Sequence, residues 1–249
     1  MKETHCIVSL TSYQKRFSTL PLCLESLFNQ TFSYDRIILY LDHNENINML
    51  PDKVKNYENL GLEIVQADDN LGCHSKYLYA MENFPNDIII TVDDDGIYDS
   101  KCFEMLYSSY LRHPESVSAN RVHRITFDTE GNVKPYLEWN FEDNNILEPS
   151  MLLFATGVGG VLYPPHILPK LTFNRDLIKK YCLHTDDIWL KFMEYINHVP
   201  VSYSGMFPQH PKQILGTKET GLFQYNKIHG INDLCISEIK NLLTELNYI

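Results

Sequence analysis

Residues 88–99 read IIITVDDDGIYD, where a β-branched run from Ile88 to Val92 passes directly into Asp93, Asp94 and Asp95. β-Branched side chains fit a pleated surface, and a strand with no polar face is buried on both sides, as in parallel sheets covered by helices. In open α/β sheets, ligands bind beyond the carboxyl ends of the strands. The three acids therefore stand where function concentrates. Side chains alternate along extended backbone, so Asp93 and Asp95 face one way and Asp94 the other. Hard carboxylate oxygens at such an edge suit Mg2+ or Mn2+, above all when phosphate oxygens complete the shell. A solvated acidic turn is the bland alternative, and this run alone does not separate the two.

Three further apolar runs precede it, at Cys6 to Leu10, Arg36 to Leu41 and Leu62 to Ala67, each followed by polar residues. Between them, Leu20, Leu24, Leu27 and Phe28 share one helical face, and Tyr77, Ala80, Met81 and Phe84 repeat that spacing. This alternation predicts an α/β fold of βαβ units, with a mainly parallel central sheet and helices on both faces. Phe103, Leu106, Tyr107, Tyr110 and Leu111 form another apolar stripe, which ends before Pro114. Beyond it the pattern changes. A strand over Val117 to Phe127, a turn at Thr129-Glu130-Gly131-Asn132 and a return through Tyr136 and Trp139 predict an antiparallel insertion. Phe154 to Tyr163 is apolar but broken by Gly157, Gly159 and Gly160. Helices are expected over Asp186 to Asn197 and from an N-cap at Asn232 through Leu246. The chain reads as one domain over 1–249, with a first half at 1–115 and a second at 116–249.

At 249 residues, with 44% hydrophobic and 21% charged residues, the chain can bury a core without disulfide or metal support. Acidic residues outnumber basic ones 32 to 21, and the formal charge of −11 opposes nucleic acid and anionic bilayers as partners. The six cysteines include no Cys-x-x-Cys pair and no zinc-finger histidine spacing, so they read as reduced thiols. No signal-peptide pattern opens the chain, and no run approaches the ~18 apolar residues of a membrane span.

The other strand ends carry polar groups as well. Thr11, Ser12, Tyr13, Lys15 and Arg16 follow the first strand, Asp42 the second, and Asp68 and Asp69 the third. Hydroxyls and a carboxylate on that rim can hold a nucleoside, and Lys15 or Arg16 can meet phosphate. Lys76 falls on the first turn of a helix after Asn70-Leu71-Gly72, where an ammonium and free amides meet anions; a snorkelling surface lysine is the alternative. Asp186 and Asp187 open a later helix, where acids often only complement the helix dipole.

IVSLTSYQKRF, ESLFNQTF, DRIILYLD, DNLGCHSKYLYAMENFPNDIIITVDDD, GVGGVLYPP and TDDIWLKFM occur in this order over residues 6–235. Together they resemble bacterial GT-A glycosyltransferases of a family-two-like kind, which build polysaccharide or lipooligosaccharide. Cys73 and Ser75 depart from the Pro and basic residue usual there. The resemblance implies a nucleotide-diphosphate-sugar transferase fold and a sugar-nucleotide donor, UDP-linked by preference. That donor falls to Thr11, Ser12, Tyr13, Arg16, Asp42, Asp68, Lys76, Asp93 and Asp94. Mn2+ or Mg2+ falls to an Asp-x-Asp motif formed by Asp93 and Asp95, with His229 as a third ligand.

The same resemblance implies inversion, with Asp187 as general base and Asp186 orienting a sugar or replacing it. Gly159, Gly160 and Trp189 would meet a carbohydrate or lipid-linked glycan acceptor, although Trp139 and Trp189 also suit a core. Lys212 and Lys218 would close over the diphosphate or stand in solvent. The expected setting is the cytoplasm, meeting the inner membrane face through the acceptor. Two other readings stay open. A sugar-nucleotide nucleotidyltransferase calls for a glycine-rich basic loop after the first strand, and Ser9-Leu10-Thr11-Ser12-Tyr13 has no glycine. A non-catalytic carbohydrate-binding protein would keep the fold and leave the acids idle.

Overall fold

The computed structural model describes residues 4–146, 148–217 and 221–248. Its strands are β1 (Cys6–Ser12), β2 (Arg36–Leu41), β3 (Leu62–Gln66), β4 (Ile88–Thr91), β5 (Gly96–Ile97) and β6 (Val117–Ala119). They continue with β7 (Val122–Arg124), β8 (Leu153–Ala155), β9 (Val161–Tyr163), β10 (Val201–Tyr203) and β11 (Lys212–Gln213). The helices are α1 (Leu20–Phe28), α2 (Asp52–Lys55), α3 (Ser75–Asn83), α4 (Cys102–Arg112), α5 (Arg175–Tyr181), α6 (Asp186–Ile196), α7 (Leu222–His229) and α8 (Ile231–Glu245).

A central sheet runs in the order β10-β6-β9-β4-β1-β2-β3, parallel throughout except for β9, which is antiparallel to both β4 and β6. The apolar runs form this sheet because both of its faces are covered. Along β1 and β2, Ile7, Ile38 and Tyr40 enter one core with α3, α6 and α8, while Val8, Leu10, Ile37 and Leu39 enter another with α1 and α4. Successive side chains thus feed opposite layers, as a period of two requires.

The expected strand over 117–127 divides. Its first part, β6, joins the central sheet beside β10, and its second, β7, leaves after Arg121 to pair with β8. Asp128 Oδ1 accepts from the amides of Glu130 and Asn132, so the expected turn forms, but the return pairs through the isolated bridges Phe127↔Val133 and Arg124↔Asn140 and a Thr126 hydroxyl bond to the Glu138 carbonyl rather than as a strand. Tyr136–Glu138 is a 3-10 turn rather than a strand. The last helix also starts differently. Gly230, at φ +61°, makes the corner between α7 and α8, and Asn232 lies inside α8 instead of capping it. Among the described residues, no helix is long and apolar enough to cross a membrane.

Candidate active site

Both halves of the chain line one cavity of about 770 Å³ at the carboxyl edge of β1 and β4. That volume suits a ligand of nucleotide-sugar size. Asp93 and Asp95 are partly exposed to it, whereas Asp94 is 4% exposed, as alternation along the strand predicts. Asp94 is fully engaged: Ser12 Oγ donates to Oδ2 at 2.6 Å, and Arg16 Nη1 donates to Oδ1. Arg16 also reaches Asp95, Nη2 to Oδ2, at 3.1 Å. Arg16, expected to meet phosphate, is instead buried as a clamp between two carboxylates. Burial, and then the charge of Asp93, push Asp95 up to about 6.

Lys76 is neither a snorkelling lysine nor a free phosphate ligand. Its side chain is buried, and Nζ lies 2.7 Å from Asp93 Oδ1 and 2.7 Å from Asp186 Oδ2. Burial opposes its charge, but Asp186 and Asp93 outweigh that and hold it well above the usual lysine value. The acids beyond β4 and at the start of α6, 93 residues apart in sequence, thus share one ammonium.

A second link ties the segment between α5 and α6 to the turn that opens α3. His74 is fully buried, with Nε2 2.8 Å from the Cys182 carbonyl and Nδ1 2.9 Å from the Tyr77 hydroxyl. A neutral ring satisfies both, donating from Nε2 and accepting at Nδ1, and burial lowers its pKa to about 4.

The two acids that open α6 have different surroundings. Burial raises Asp186, but the adjacent Lys76 wins and holds it below the usual carboxylate range. Asp187 is pushed well above that range by burial and by the charge of Asp186. Its Oδ1 accepts the Gly157 amide at 3.0 Å. Gly157 lets the backbone pass close to this cluster: a Cβ would lie 3.1 Å from Lys76 Nζ, 3.2 Å from Asp187 Oδ1 and 3.4 Å from Asp93 Oδ1, a fit tight enough that the neighbouring groups would have to give.

Several expected site residues lie elsewhere. Asp42 does not line the cavity; it accepts from the Gly72 amide at 2.7 Å and from Ser75 Oγ, and so shapes the loop entering α3. Asp68 is exposed on the far side of that loop and accepts from the Tyr79 hydroxyl at 2.7 Å. Trp189 is fully buried and donates Nε1–H to the Thr172 carbonyl at 3.0 Å, so it is core rather than an acceptor platform. Gly159 and Gly160 are packing positions, crowded by Arg121 and by Cys102 and Leu106 respectively.

His229 is exposed at the end of α7, its ring tilted against Tyr225 and off the cavity wall, so it is not placed to ligate a metal with Asp93 and Asp95. Lys212 is exposed on β11 outside the cavity, and Lys218 lies outside the described residues. Thr11, Ser12 and Tyr13 do line the cavity. So do Arg121, Phe154, Thr156, His210 and Gln213, none of which any local sequence signal marks.

The sequence pattern of glycosyl transferase family 2 matches residues 8–161, well over half of the chain. The chain belongs to glycosyl transferase family 2. A relative in that class is the amylovoran biosynthesis glycosyltransferase AmsE of Erwinia amylovora, 31% identical over 127 residues. That alignment takes in 50% of this chain and 46% of AmsE, so the chain matches less than half of that relative's length. Among solved structures, the mannosyltransferase PcManGT from Pyrobaculum calidifontis, in complex with GDP-Man and Mn2+, superposes with a TM-score of 0.53 at 9% identity. The superposition covers 90% of this chain and 61% of PcManGT. S. aureus TarS 1-349 in complex with UDP gives a TM-score of 0.49 at 14% identity, over 80% of this chain and 57% of that one. The family 2 chain has the GT-A fold, with the acids of β4 and α6 meeting across Lys76 at its cavity.

Proposed function

We propose that this family 2 chain moves a sugar from a nucleoside-diphosphate donor to a carbohydrate acceptor with inversion, using a divalent cation and Asp187 as general base. The observation that carries the reading is the convergence of two acidic clusters on one cavity. Asp93, Asp94, Asp95, Asp186 and Asp187 all line it, against the cations Arg16, Lys76 and Arg121, and Arg121 is already paired with Glu142 at 3.0 Å. A cavity with this excess of negative charge repels a diphosphate unless a cation enters with it.

Asp93 and Asp95 suit that cation. They offer hard oxygens on the same side of the chain, and their crowding, seen in the raised pKa of Asp95, is relieved by positive charge. Mn2+ or Mg2+ needs only one or two carboxylates when phosphate oxygens fill the remaining positions. A bound cation supplies charge neutralisation for the departing diphosphate.

Asp187 would take the proton from the acceptor hydroxyl as its oxygen attacks the anomeric carbon and the bond to the diphosphate breaks on the opposite face. Burial and the charge of Asp186 raise its pKa above the usual carboxylate range, and a carboxylate of higher pKa is the stronger proton acceptor. Asp186 is committed to Lys76, which separates the roles of the two acids. Ser12 and Arg16 fix the strand end through Asp94, leaving Thr11 and Tyr13 to face the nucleoside.

The donor assay is direct. Purified protein is incubated with Mn2+ and a panel of UDP- and GDP-sugars, and nucleoside diphosphate release is followed with and without glycan acceptors. Release that depends on Mn2+ and on the sugar is expected. Pyrophosphate-dependent exchange would make it a nucleotidyltransferase, and silence without nucleotide binding would make it a carbohydrate-binding protein.

A further inference from the structure

Lys76 is a buried charge held by both acidic clusters. The residue is 3% exposed, and its ammonium stands 2.7 Å from one carboxylate of each acidic cluster. Its backbone carbonyl is held by Ser9 Oγ from β1, and the Gly157 turn packs against it closely enough that a Cβ there would sit 3.1 Å from Nζ. The helix that carries it is tied to the entrance of α6 through His74. An ammonium so fixed cannot follow a ligand far into the cavity, yet one of its two partners, Asp93, is also the carboxylate assigned to the metal.

We infer that Lys76 is a positioning residue that couples donor loading to the acceptor-activating acids, its ammonium competing with the metal for Asp93 while anchoring Asp186. The inference rests on the metal assignment made above. Two cations on one carboxylate oppose each other electrostatically, so Lys76 weakens metal binding in the empty cavity. When Asp93 turns to the metal, Nζ keeps only Asp186 as a carboxylate partner. The N-terminus of α6, and with it Asp187, is then held by a stronger pair when the donor is in place. A lysine serving only to fill and neutralise the core would make no such link, and its loss would loosen every property of the site together.

The test is Lys76→Met, which keeps the length of the side chain and removes the charge, read first by calorimetric titration with Mn2+ alone. The Mn2+ dissociation constant is expected to fall on the order of tenfold, because a positive charge beside a ligand has gone. At the same time kcat for sugar transfer is expected to fall by roughly a hundredfold, since Asp187 loses its anchored neighbour. Opposite signs in binding and turnover are what a structural role cannot produce.

Lys76→Met leaves Asp186 buried without its cation, so the same contrast is measured between Asp186→Asn and Lys76→Met/Asp186→Asn, where no orphaned charge remains. Tighter Mn2+ binding in the double variant than in Asp186→Asn supports the inference. Equal or weaker binding in both contrasts, by folded proteins, overturns it. Wild-type protein that takes no Mn2+ overturns the proposed metal site, and this inference with it.

Discussion

Gly157→Ala isolates one methyl group at the meeting point of the two acidic clusters. The backbone at 157 is not in the left-handed region, so alanine meets no conformational penalty there, and a Gly to Ala change at such a position stabilises by about 0.4–1 kcal/mol through the unfolded chain. The cost is local. The new Cβ would sit 3.1 Å from Lys76 Nζ, 3.2 Å from Asp187 Oδ1 and 3.4 Å from Asp93 Oδ1, so each must retreat by a few tenths of an ångström. A misplacement of about 1 Å in a reacting group costs on the order of a hundredfold in rate. A shift of a third of that predicts a kcat lower by roughly 5-fold, or about 1 kcal/mol on the barrier. Steady-state kinetics of donor turnover, beside thermal melts of both proteins, make the assay. The expected result is a Tm close to wild type with a clear loss of kcat. Wild-type kcat in a folded Gly157→Ala protein would mean that Lys76, Asp93 and Asp187 have slack, and that their tight geometry plays no part in the chemistry.

Asp187→Asn should lower kcat by about 10²–10⁴-fold while leaving nucleotide affinity within a fewfold of wild type; a kcat within threefold would assign the base elsewhere. Arg16→Met should destabilise the fold by about 3–5 kcal/mol, because it leaves buried Asp94 without its cation, and urea titration reads this directly. His123 is buried against Phe141 and depressed from 6.5 to about 3, so the unfolded chain takes up a proton first and stability from this group, complete above pH 6.5, falls as pH drops toward 3. Between pH 7 and 5 its contribution falls by about 2 kcal/mol, so His123→Phe should flatten the pH dependence of unfolding by that amount; parallel curves for the two proteins would contradict it.

The fold was legible because its first four strands open as short, mainly apolar runs. Arg36–Leu41 and the starts of β1, β3 and β4 follow from apolar runs alone, and the different exposure of Asp94 from that of Asp93 and Asp95 follows from alternation. Where local pattern and tertiary packing compete, the sequence is less informative. The 117–127 run reads as one strand, yet its halves join different sheets, since nothing local tells Val117 from Val122. Trp189 fits a sugar platform and a core stripe equally well, and only the Thr172 carbonyl facing its Nε1 decides between them. Lys76 shows the limit most clearly: its helix position was readable, but its meaning depends on Asp93 and Asp186, which only the fold brings within reach. Arg121 and His210 carry no motif and line the cavity from the connections after β6 and before β11, which the fold alone brings to the site.

The central claim is that the acids at the edge of β4 accept a nucleoside diphosphate only together with a divalent cation. Calorimetric titration of UDP and GDP into the protein, in Mn2+ and again in chelator, measures this with no acceptor and no turnover. The account predicts binding of at least one nucleotide in Mn2+, weaker by tenfold or more, about 1.4 kcal/mol, in chelator and in Asp93→Asn. Equal affinity in Mn2+ and in chelator, by wild type and by Asp93→Asn alike, would contradict it.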